Sequence, residues 1–211
     1  MPGLPTAEEW RQALIGRHGE ARQQRLAAAT VAVCGLGGLG SNIALALARA
    51  GVGRLLLLDY DRVELSNLHR QQYKAAQIGC YKTEALRQNL LEIAPYLQVL
   101  THTVRLGPEN LPELLAEAQV VCEALDQAEA KAMLCDVVLS QLPDKYLVAA
   151  SGMAGWGSAN AIRTRRITEH FYICGDGCSD VAAGSLNAAR VMVCAAHQAQ
   201  AVLQILTGQP V

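Results

Sequence analysis

Residues 31–71 of this 211-residue chain decide its fold; with Thr30 in front, they read TVAVCGLGGLGSNIALALARAGVGRLLLLDYDRVELSNLHRQ. A short apolar run rich in β-branched residues ends at Cys34 and leads into the glycine-rich segment 35–40. A segment rich in alanine and leucine follows and ends at Gly51. This order predicts a strand, a glycine turn and a helix.

Three glycines of the Gly35-x-Gly37-x-x-Gly40 pattern have separate tasks in such a unit. Gly35 allows the tight turn, Gly37 lets backbone N–H groups approach a phosphate, and Gly40 lets the helix pack closely on the strand. A second apolar run, residues 55–58, ends at Asp59, whose carboxylate is suited to accept hydrogen bonds from ribose hydroxyls. The unit therefore predicts a nucleotide-binding site at the carboxyl ends of the strands.

Glycines and one acid do not distinguish a dinucleotide from ATP, so the residues that follow decide between them. A hydride-transfer domain needs no further cation, because its glycine turn already holds the pyrophosphate. A triphosphate carries more charge to neutralise, and Arg70 and Lys82 are two candidate cations. Asp126 follows another apolar strand, where it is suited to hold magnesium. These residues favour ATP over the ligand of an NAD-dependent oxidoreductase.

Together these motifs resemble the ThiF/MoeB/HesA family, the relatives of ubiquitin-activating enzymes. The resemblance rests on Gly35-x-Gly37-x-x-Gly40, Asp59-x-Asp61, Ser66-Asn67-Leu68-x-Arg70-Gln71, Lys82 and Asp126, and it extends over nearly the whole chain. Within the family, the short length and residues 67–73, 131–133, 149–155 and 195–199 are most similar to the compact ThiF type of bacterial thiamine biosynthesis.

The resemblance implies an ATP-dependent adenylyltransferase. Proteins of the ThiF type attach AMP to the C-terminal glycine of ThiS, a small ubiquitin-like sulfur carrier with a Gly-Gly tail, and release pyrophosphate in thiamine thiazole biosynthesis. Three alternatives within the fold stay open: the same chemistry on a molybdopterin- or cysteine-pathway carrier, a tRNA-modifying dehydratase, and a non-catalytic scaffold.

The resemblance also implies roles for individual residues. Arg70, Lys82 and Asp126 are expected to act at the reacting phosphate, with Asp126 binding magnesium. The expected nucleotide-binding residues are Gly35, Gly37, Gly38, Gly40, Asp59, Asp61, Asn67, Arg70 and Lys82. Dimeric members carry an arginine before the glycine turn that reaches the partner's ATP. This makes Arg11 the expected trans contact, with Arg17 as its substitute, and implies a homodimer.

Some of these residues have simpler explanations. Asp126 precedes Gln127 and a predicted helix, so it is also a candidate N-cap. Arg70 is also a candidate for an ordinary surface salt bridge. Asp61 is suited either to support Asp59 or to approach the metal, and the sequence does not choose between these roles.

The composition limits the possible functions. A net charge of −1 gives no electrostatic attraction to nucleic acid or to an anionic membrane. Apolar runs stay far shorter than the ~20 residues of a membrane span. Residues 1–6 lack the pattern of a signal peptide, and the seven cysteines, several inside apolar runs, are typical of a reduced cytoplasmic protein.

Strand and helix patterns alternate along most of the chain, which predicts a Rossmann-like, doubly wound α/β fold with a mostly parallel sheet. Helices are predicted at 7–29, 82–93, 108–118, 128–139 and 188–206, besides the one after the glycine turn. Further strands are predicted at 97–101, 120–122 and 146–150.

After Ser151 many glycines surround two candidate strands, 160–163 and 171–174. The resemblance implies an antiparallel extension here, with a crossover loop over the carrier's tail. We expect one adenylating domain over residues 1–211, with a nucleotide-binding core at about 28–151 and a carrier-binding and dimer extension at about 152–211.

Two cysteines of the extension, Cys174 and Cys178, have the spacing Cys-x-x-x-Cys, and no second pair exists in the sequence. This departs from the paired Cys-x-x-Cys motifs that bind structural zinc in larger relatives, so we expect no zinc site. Some thiamine-pathway relatives use a loop cysteine in sulfur transfer, which makes Cys178 or Cys174 a candidate. His170 is the only basic neighbour evident in the sequence.

Overall fold

The computed structural model describes residues 3–180 and 184–211. The strands are β1 (Thr30–Cys34), β2 (Arg54–Leu58), β3 (Gln98–His102), β4 (Val120–Glu123), β5 (Tyr146–Ala150), β6 (Arg163–Arg166) and β7 (Phe171–Gly175). The α-helices are α1 (Ala7–His18), α2 (Glu20–Ala28), α3 (Gly38–Ala50), α4 (Lys82–Ile93), α5 (Leu111–Leu114), α6 (Ala128–Gln141) and α7 (Ala188–Thr207).

These strands form one sheet in the order β3-β2-β1-β4-β5-β7-β6. Every neighbouring pair is parallel except β6 and β7, which are antiparallel. The chain runs outward from β1 to β3 and then returns to place β4 beside β1, so the topological switch point lies between β1 and β4. The expected Rossmann-like fold with an antiparallel extension is confirmed.

Helices cover both faces of the sheet, so neighbouring residues of the central strands are buried on opposite sides. Val31 and Val33 of β1 face a cluster that contains Ile43 of α3. Ala32, between them, faces a second cluster that contains Leu134 of α6. This two-sided burial explains why the strands are almost continuously apolar. Within the described residues, no helix is both long and apolar enough to cross a membrane.

At the amino end, the predicted single helix 7–29 is wrong, because the chain breaks it into α1 and α2 at Gly19. Gly19 has a φ of 82°, which is not a helical value, so it separates the two helices. The first helix begins with a capping box, in which Thr6 and Glu9 each accept a hydrogen bond from the other's backbone N–H. No residue of α1 is buried, so this helix lies on the surface.

Several other boundaries also differ from the sequence prediction. The helix expected at 108–118 is only Leu111–Leu114, and the strand expected at 97–101 lies one residue later. The strand expected at 160–163 begins only at Arg163, because the Ser158 hydroxyl accepts the Asn160 N–H and holds Ala159–Ala161 in a 3-10 turn. The expected crossover loop includes residues 181–183, which lie outside the described residues.

Candidate functional site

The glycine turn after β1 has two positions where only glycine fits. Gly35 has a φ of 90°, and a Cβ there would lie 2.6 Å from the backbone oxygen of Ala124. A Cβ on Gly40 would lie 1.8 Å from the Gly35 oxygen, so α3 packs directly on the turn. Gly37 differs, because outside residues 36–38 the only described atom within 4 Å of its Cβ position is Gln71 Nε2, at 3.7 Å. Packing within the chain therefore does not require glycine at 37.

Helix α3 begins at this turn with its N-terminal N–H groups uncapped by a side chain. Gly37 is the N-cap residue and carries no side chain to accept their hydrogen bonds. The Ser41 hydroxyl donates instead to the Gly37 oxygen over 2.7 Å, which leaves the first-turn donors free. The positive end of the helix dipole and these free donors suit an anion such as a phosphate.

Asp59, at the end of β2, binds the backbone on both sides of the site. Its Oδ2 accepts the Leu36 N–H over 2.6 Å, and its Oδ1 accepts the Asp61 N–H over 2.7 Å. Burial raises the pKa of this carboxyl, while nearby Lys82 opposes the rise. Each carboxylate oxygen keeps one more lone pair, so the expected ribose contact is compatible with this geometry.

Lys82, the first residue of α4, forms an ion pair with Asp61. Its Nζ lies 2.7 Å from Asp61 Oδ2, and the side chains are 8% and 46% exposed. Asp61 thus binds the lysine of the candidate site, a partner that the sequence did not indicate. The ammonium group has three donors and Asp61 takes one, so the others remain available to a ligand.

Arg70 lies across the start of α3. A Cβ on Gly38 would be 3.4 Å from Arg70 Cγ, and the guanidinium donates to the Ser66 oxygen over 3.2 Å. In residues 3–180 and 184–211, Arg70 pairs with no carboxylate, so the simple salt-bridge explanation is wrong. Asn67 shapes the same segment, because its Oδ1 accepts the Glu64 N–H over 3.3 Å.

Asp126 follows β4 on the other side of the switch point. It is exposed, and its side chain has no hydrogen bond or ion pair within the described part of the chain. The N-cap of α6 is Gln127, so the alternative N-cap role of Asp126 is wrong. A lone, solvated carboxylate fits magnesium that takes its other ligands from phosphates and water. Among the described residues, no cluster of three or more His, Cys, Asp or Glu side chains could hold a metal ion by itself.

A buried ion pair beneath Asp126 was not predicted from the sequence. Glu123, the last residue of β4, is fully buried, and Lys131 Nζ lies 2.9 and 2.7 Å from its two carboxylate oxygens. Burial raises the pKa of Glu123, and Lys131 opposes the rise. Glu123 Oε1 also accepts the Leu125 N–H over 2.7 Å, which fixes the turn that carries Asp126. The acidic residue at the end of an apolar strand was the sequence feature that could have indicated a buried ion pair.

A second buried ion pair organises the extension. Arg190 Nη2 of α7 lies 2.5 Å from Asp176 Oδ2, and both side chains are under 10% exposed. The same guanidinium donates to the backbone oxygens of Ala154 and Gly157 over 3.1 and 2.8 Å. The loop held in this way presents Trp156, which is 83% exposed.

The two candidate cysteines occupy different environments. Cys174 lies in β7 with no exposed surface, and burial raises the pKa of its thiol to about 11. Cys178 is exposed, and its N–H donates to Asp176 over 2.9 Å. His170 precedes β7, whereas Cys178 follows it, so His170 lies at the other end of the strand and is not the basic neighbour expected.

Arg11 lies far from the glycine turn of its own chain. It pairs with Glu8 over 3.0 Å on the exposed face of α1. With Gly53 and Gln98, it lines a groove at the amino ends of β2 and β3. The candidate site lies at the opposite, carboxyl ends of the strands. Arg17 is on the same exposed helix. The expected site residues other than these two arginines follow the carboxyl ends of the neighbouring strands β1, β2 and β4.

Comparison with known sequences identifies one family over most of the chain. The model of the ThiF family matches residues 10–211. The adenylyltransferase and sulfurtransferase UBA4 of Candida glabrata is 36% identical over 159 residues, covering 74% of this chain and 36% of that protein. The adenylyltransferase and sulfurtransferase MOCS3 of Aedes aegypti is 37% identical over 144 residues, covering 68% and 32%. The chain thus spans about a third of the length of these relatives.

Comparison with solved structures identifies the same fold. The E. coli tRNA N6-threonylcarbamoyladenosine dehydratase TcdA, solved with ATP, has a TM-score of 0.87 at 20% identity, covering 97% of this chain and 98% of that one. E. coli MccB, solved with AMPCPP and MccA, has a TM-score of 0.72 at 20% identity, covering 90% and 60%. At this identity the likeness concerns the fold.

Proposed function

Because the chain belongs to the ThiF family, we propose that it is an adenylyltransferase that uses ATP to activate the C-terminal carboxylate of a ubiquitin-like sulfur carrier. One observation carries the proposal: Arg70 has no acidic partner among the described residues and lies on the N-terminus of α3, beside the switch point. A dinucleotide pyrophosphate is satisfied by the glycine turn alone. A free cation next to that turn fits the additional charge of a triphosphate.

The reaction needs no nucleophile from the protein. A carboxylate oxygen of the carrier attacks the α-phosphorus of ATP, a new O–P bond forms, and the bond to the β-phosphate oxygen breaks. The products are a carrier acyl-adenylate and pyrophosphate. Arg70 and Lys82 would neutralise the phosphate charge, and the free N–H groups at Gly37 and Gly38 would orient the phosphate. Asp126 would hold magnesium, which shields the triphosphate from the incoming carboxylate.

We assign ThiS-like specificity and a role in thiamine thiazole formation as the finer part of the proposal. The motifs most similar to the compact ThiF type support it, and the UBA4 and MOCS3 names support a carrier of the same general kind. Residues 152–211 would bind the carrier, and residues 28–151 would bind the nucleotide. Trp156 supports this division, because an exposed aromatic side chain on a firmly held loop is suited to a protein interface.

Sulfur transfer by this chain, if the carrier is thiolated here, would use Cys178. The Cys178 thiolate would attack the carrier acyl-adenylate to form a thioester and release AMP, and an external sulfide donor would then displace the cysteine to leave the carrier thiocarboxylate. Cys178 is exposed in the turn after β7, whereas Cys174 is buried and its thiol has a raised pKa. We expect C178S to retain adenylation and to lose thiocarboxylate formation. Retention of both steps in C178S would remove cysteine chemistry from the proposal.

The proposal is tested by exchange of labelled pyrophosphate into ATP. We expect exchange that requires a ThiS-like carrier with its Gly-Gly tail and stops when the tail is removed. R70A should lower the exchange rate about 100-fold. R49A is the matched control, because Arg49 is an exposed arginine in the last turn of α3 and should leave exchange unchanged. Exchange with a molybdopterin-type carrier alone would correct the substrate and keep the chemistry.

A tRNA-modifying dehydratase is the second candidate, and one feature favours it. Three exposed arginines, Arg163, Arg165 and Arg166, lie on the edge strand β6 and form no ion pair among the described residues. Arginines on one edge suit a phosphate backbone. ATP consumption that depends on tRNA and not on any carrier would select this function over carrier activation.

A further inference from the structure

Gln71 follows Arg70 and is one of the buried polar residues beside the glycine turn. Only 7% of the residue is exposed to solvent. The backbone N–H of Gln71 donates to the Asn67 oxygen over 3.1 Å. Its side-chain amide makes no hydrogen bond within residues 3–180 and 184–211, and Oε1 is buried without a partner.

This amide borders the space that glycine leaves open in the turn. Gln71 Nε2 lies 3.7 Å from the position that a Cβ on Gly37 would occupy, and outside residues 36–38 no other described atom lies within 4 Å of that position. Exchanging the two amide atoms would not help, because neither has a partner in the described part of the chain. The Nε2 donor therefore borders an unfilled space and has no acceptor among the described residues.

A buried amide without a partner is unfavourable, and the same segment contains the counterexample. Gln77 is 6% exposed, yet its Nε2 donates to Ala85 O and Asn89 Oδ1 over 3.1 and 2.9 Å. Its Oε1 accepts from the Lys74 N–H over 2.9 Å. Buried polar groups are normally paired in this way, so an exception in a candidate site requires an explanation.

We propose that the Gln71 amide binds a phosphate group of the nucleotide over Gly37. The inference rests on the proposed function and adds a ligand-binding residue to its site. A phosphate oxygen in the open space would accept the Nε2 hydrogen. Gln71 would orient the phosphate without adding charge, while Arg70 supplies the charge.

The variant Q71M tests the inference, because methionine fills a similar volume without the amide. We expect titration calorimetry to give a dissociation constant for ATP about fivefold to tenfold higher than in the wild type, the effect of one lost hydrogen bond. Adenosine, which has no phosphate, should bind both proteins equally. Thermal stability without nucleotide should be unchanged or higher, since an unpaired buried amide is removed.

Q77M is the matched control and should show the reverse pattern. It removes a fully paired buried amide, so thermal stability should fall while ATP affinity stays at the wild-type value. A purely structural role for Gln71 would make Q71M behave like Q77M.

The outcomes separate this inference from the proposal it rests on. Equal ATP affinity in the wild type and in Q71M overturns the role of Gln71 and leaves the proposed function intact. An equal loss for adenosine and ATP also overturns it, because the loss would then not involve phosphate. Absence of ATP binding by the wild type overturns the proposed function and this inference together.

Discussion

The hydroxyl of Tyr73 donates a hydrogen bond to the backbone oxygen of Leu36 over 2.7 Å. Leu36 lies within the glycine turn and is fully buried. The N–H of the same residue donates to Asp59 over 2.6 Å. Side chains from two other segments thus hold both backbone groups of one residue, which couples the conformation of the turn to the segment that carries Arg70.

Tyr73 is expected to stabilise the turn through this hydroxyl. Y73F keeps the buried ring but leaves the Leu36 oxygen without a donor, at a cost of about 1–3 kcal/mol in the free energy of unfolding. ATP affinity should also fall, because the turn that we propose as the phosphate site loses one of its two anchors. Urea denaturation and calorimetry measure the two effects.

The control for Y73F is Y172F. Tyr172 of β7 is also buried, at 6% exposure, and its hydroxyl makes no hydrogen bond within the described residues. Its removal should change the free energy of unfolding by less than about 1 kcal/mol. Equal effects of the two substitutions would show that the Tyr73–Leu36 bond contributes nothing specific.

Gly37 and Gly40 should respond differently to alanine. A methyl group at 40 would lie 1.8 Å from the Gly35 oxygen, so G40A must move α3. It should lower the free energy of unfolding by about 3 kcal/mol. Gly37 has an open Cβ position and a negative φ of −74°, but its ψ of −147° lies outside the usual β and α regions, so G37A should cost less stability than G40A. The G37A methyl group would occupy the proposed phosphate space and weaken ATP binding. Thermal melts and ATP titrations distinguish the two effects, and normal ATP binding by G37A would argue against that space.

Local patterns predicted the parts of the fold that local interactions determine. The helix at 82–93 and the strand at 146–150 have the predicted bounds, because a helical apolar face and a short apolar run are both local signals. Gly35 and Gly40 do what the glycine pattern predicted, since short-range sterics decide both positions. The break at Gly19 was missed because an isolated glycine in a helical pattern is often tolerated, as Gly16 is within α1.

Side-chain partners across the fold were not predictable in this way. The contacts of Tyr73, Gln71 and the Glu123–Lys131 pair depend on which segments are adjacent in the folded chain. A single sequence does not show which segments become adjacent. Asp61 was recognised as part of a motif, but its partner Lys82 lies 21 positions further along the chain. The site's residue types were thus predictable, whereas its internal hydrogen bonds were not.

The free energy of unfolding should fall much more when Lys131 of the Glu123–Lys131 pair is removed than when the charge on Glu123 is removed. K131M leaves a buried carboxylate unpaired, which should lower the free energy of unfolding by about 3–5 kcal/mol. E123Q keeps most hydrogen bonds, and Lys131, at 24% side-chain exposure, still reaches water. Urea denaturation at pH 7 should therefore rank K131M well below E123Q.

The stability of the K131M variant should depend on pH differently from that of the wild type. Burial already raises the pKa of Glu123 above its ordinary value of 4.5, and K131M removes the cation that opposes the rise. A raised pKa means that the folded state prefers the protonated acid, so its contribution to stability is present below pH 4.5 and is lost as pH rises through the folded pKa. K131M should therefore lose stability relative to wild type as the pH rises above 4.5, and parallel pH curves would contradict this.

Subunit mixing tests whether Arg11 serves a partner's site. Arg11 and Asp126 lie near opposite edges of the sheet, so one chain cannot bring them to the same nucleotide. R11A and D126N should each lose carrier-dependent exchange when assayed alone. In a C2 dimer, random pairing after mixing makes about half of the dimers mixed, and each mixed dimer has one site with both groups intact. Activity should then recover to about a quarter of the wild-type value. No recovery, despite mixed dimers detected by mass spectrometry, would exclude a trans role for Arg11, and the same experiment with R17A would test Arg17.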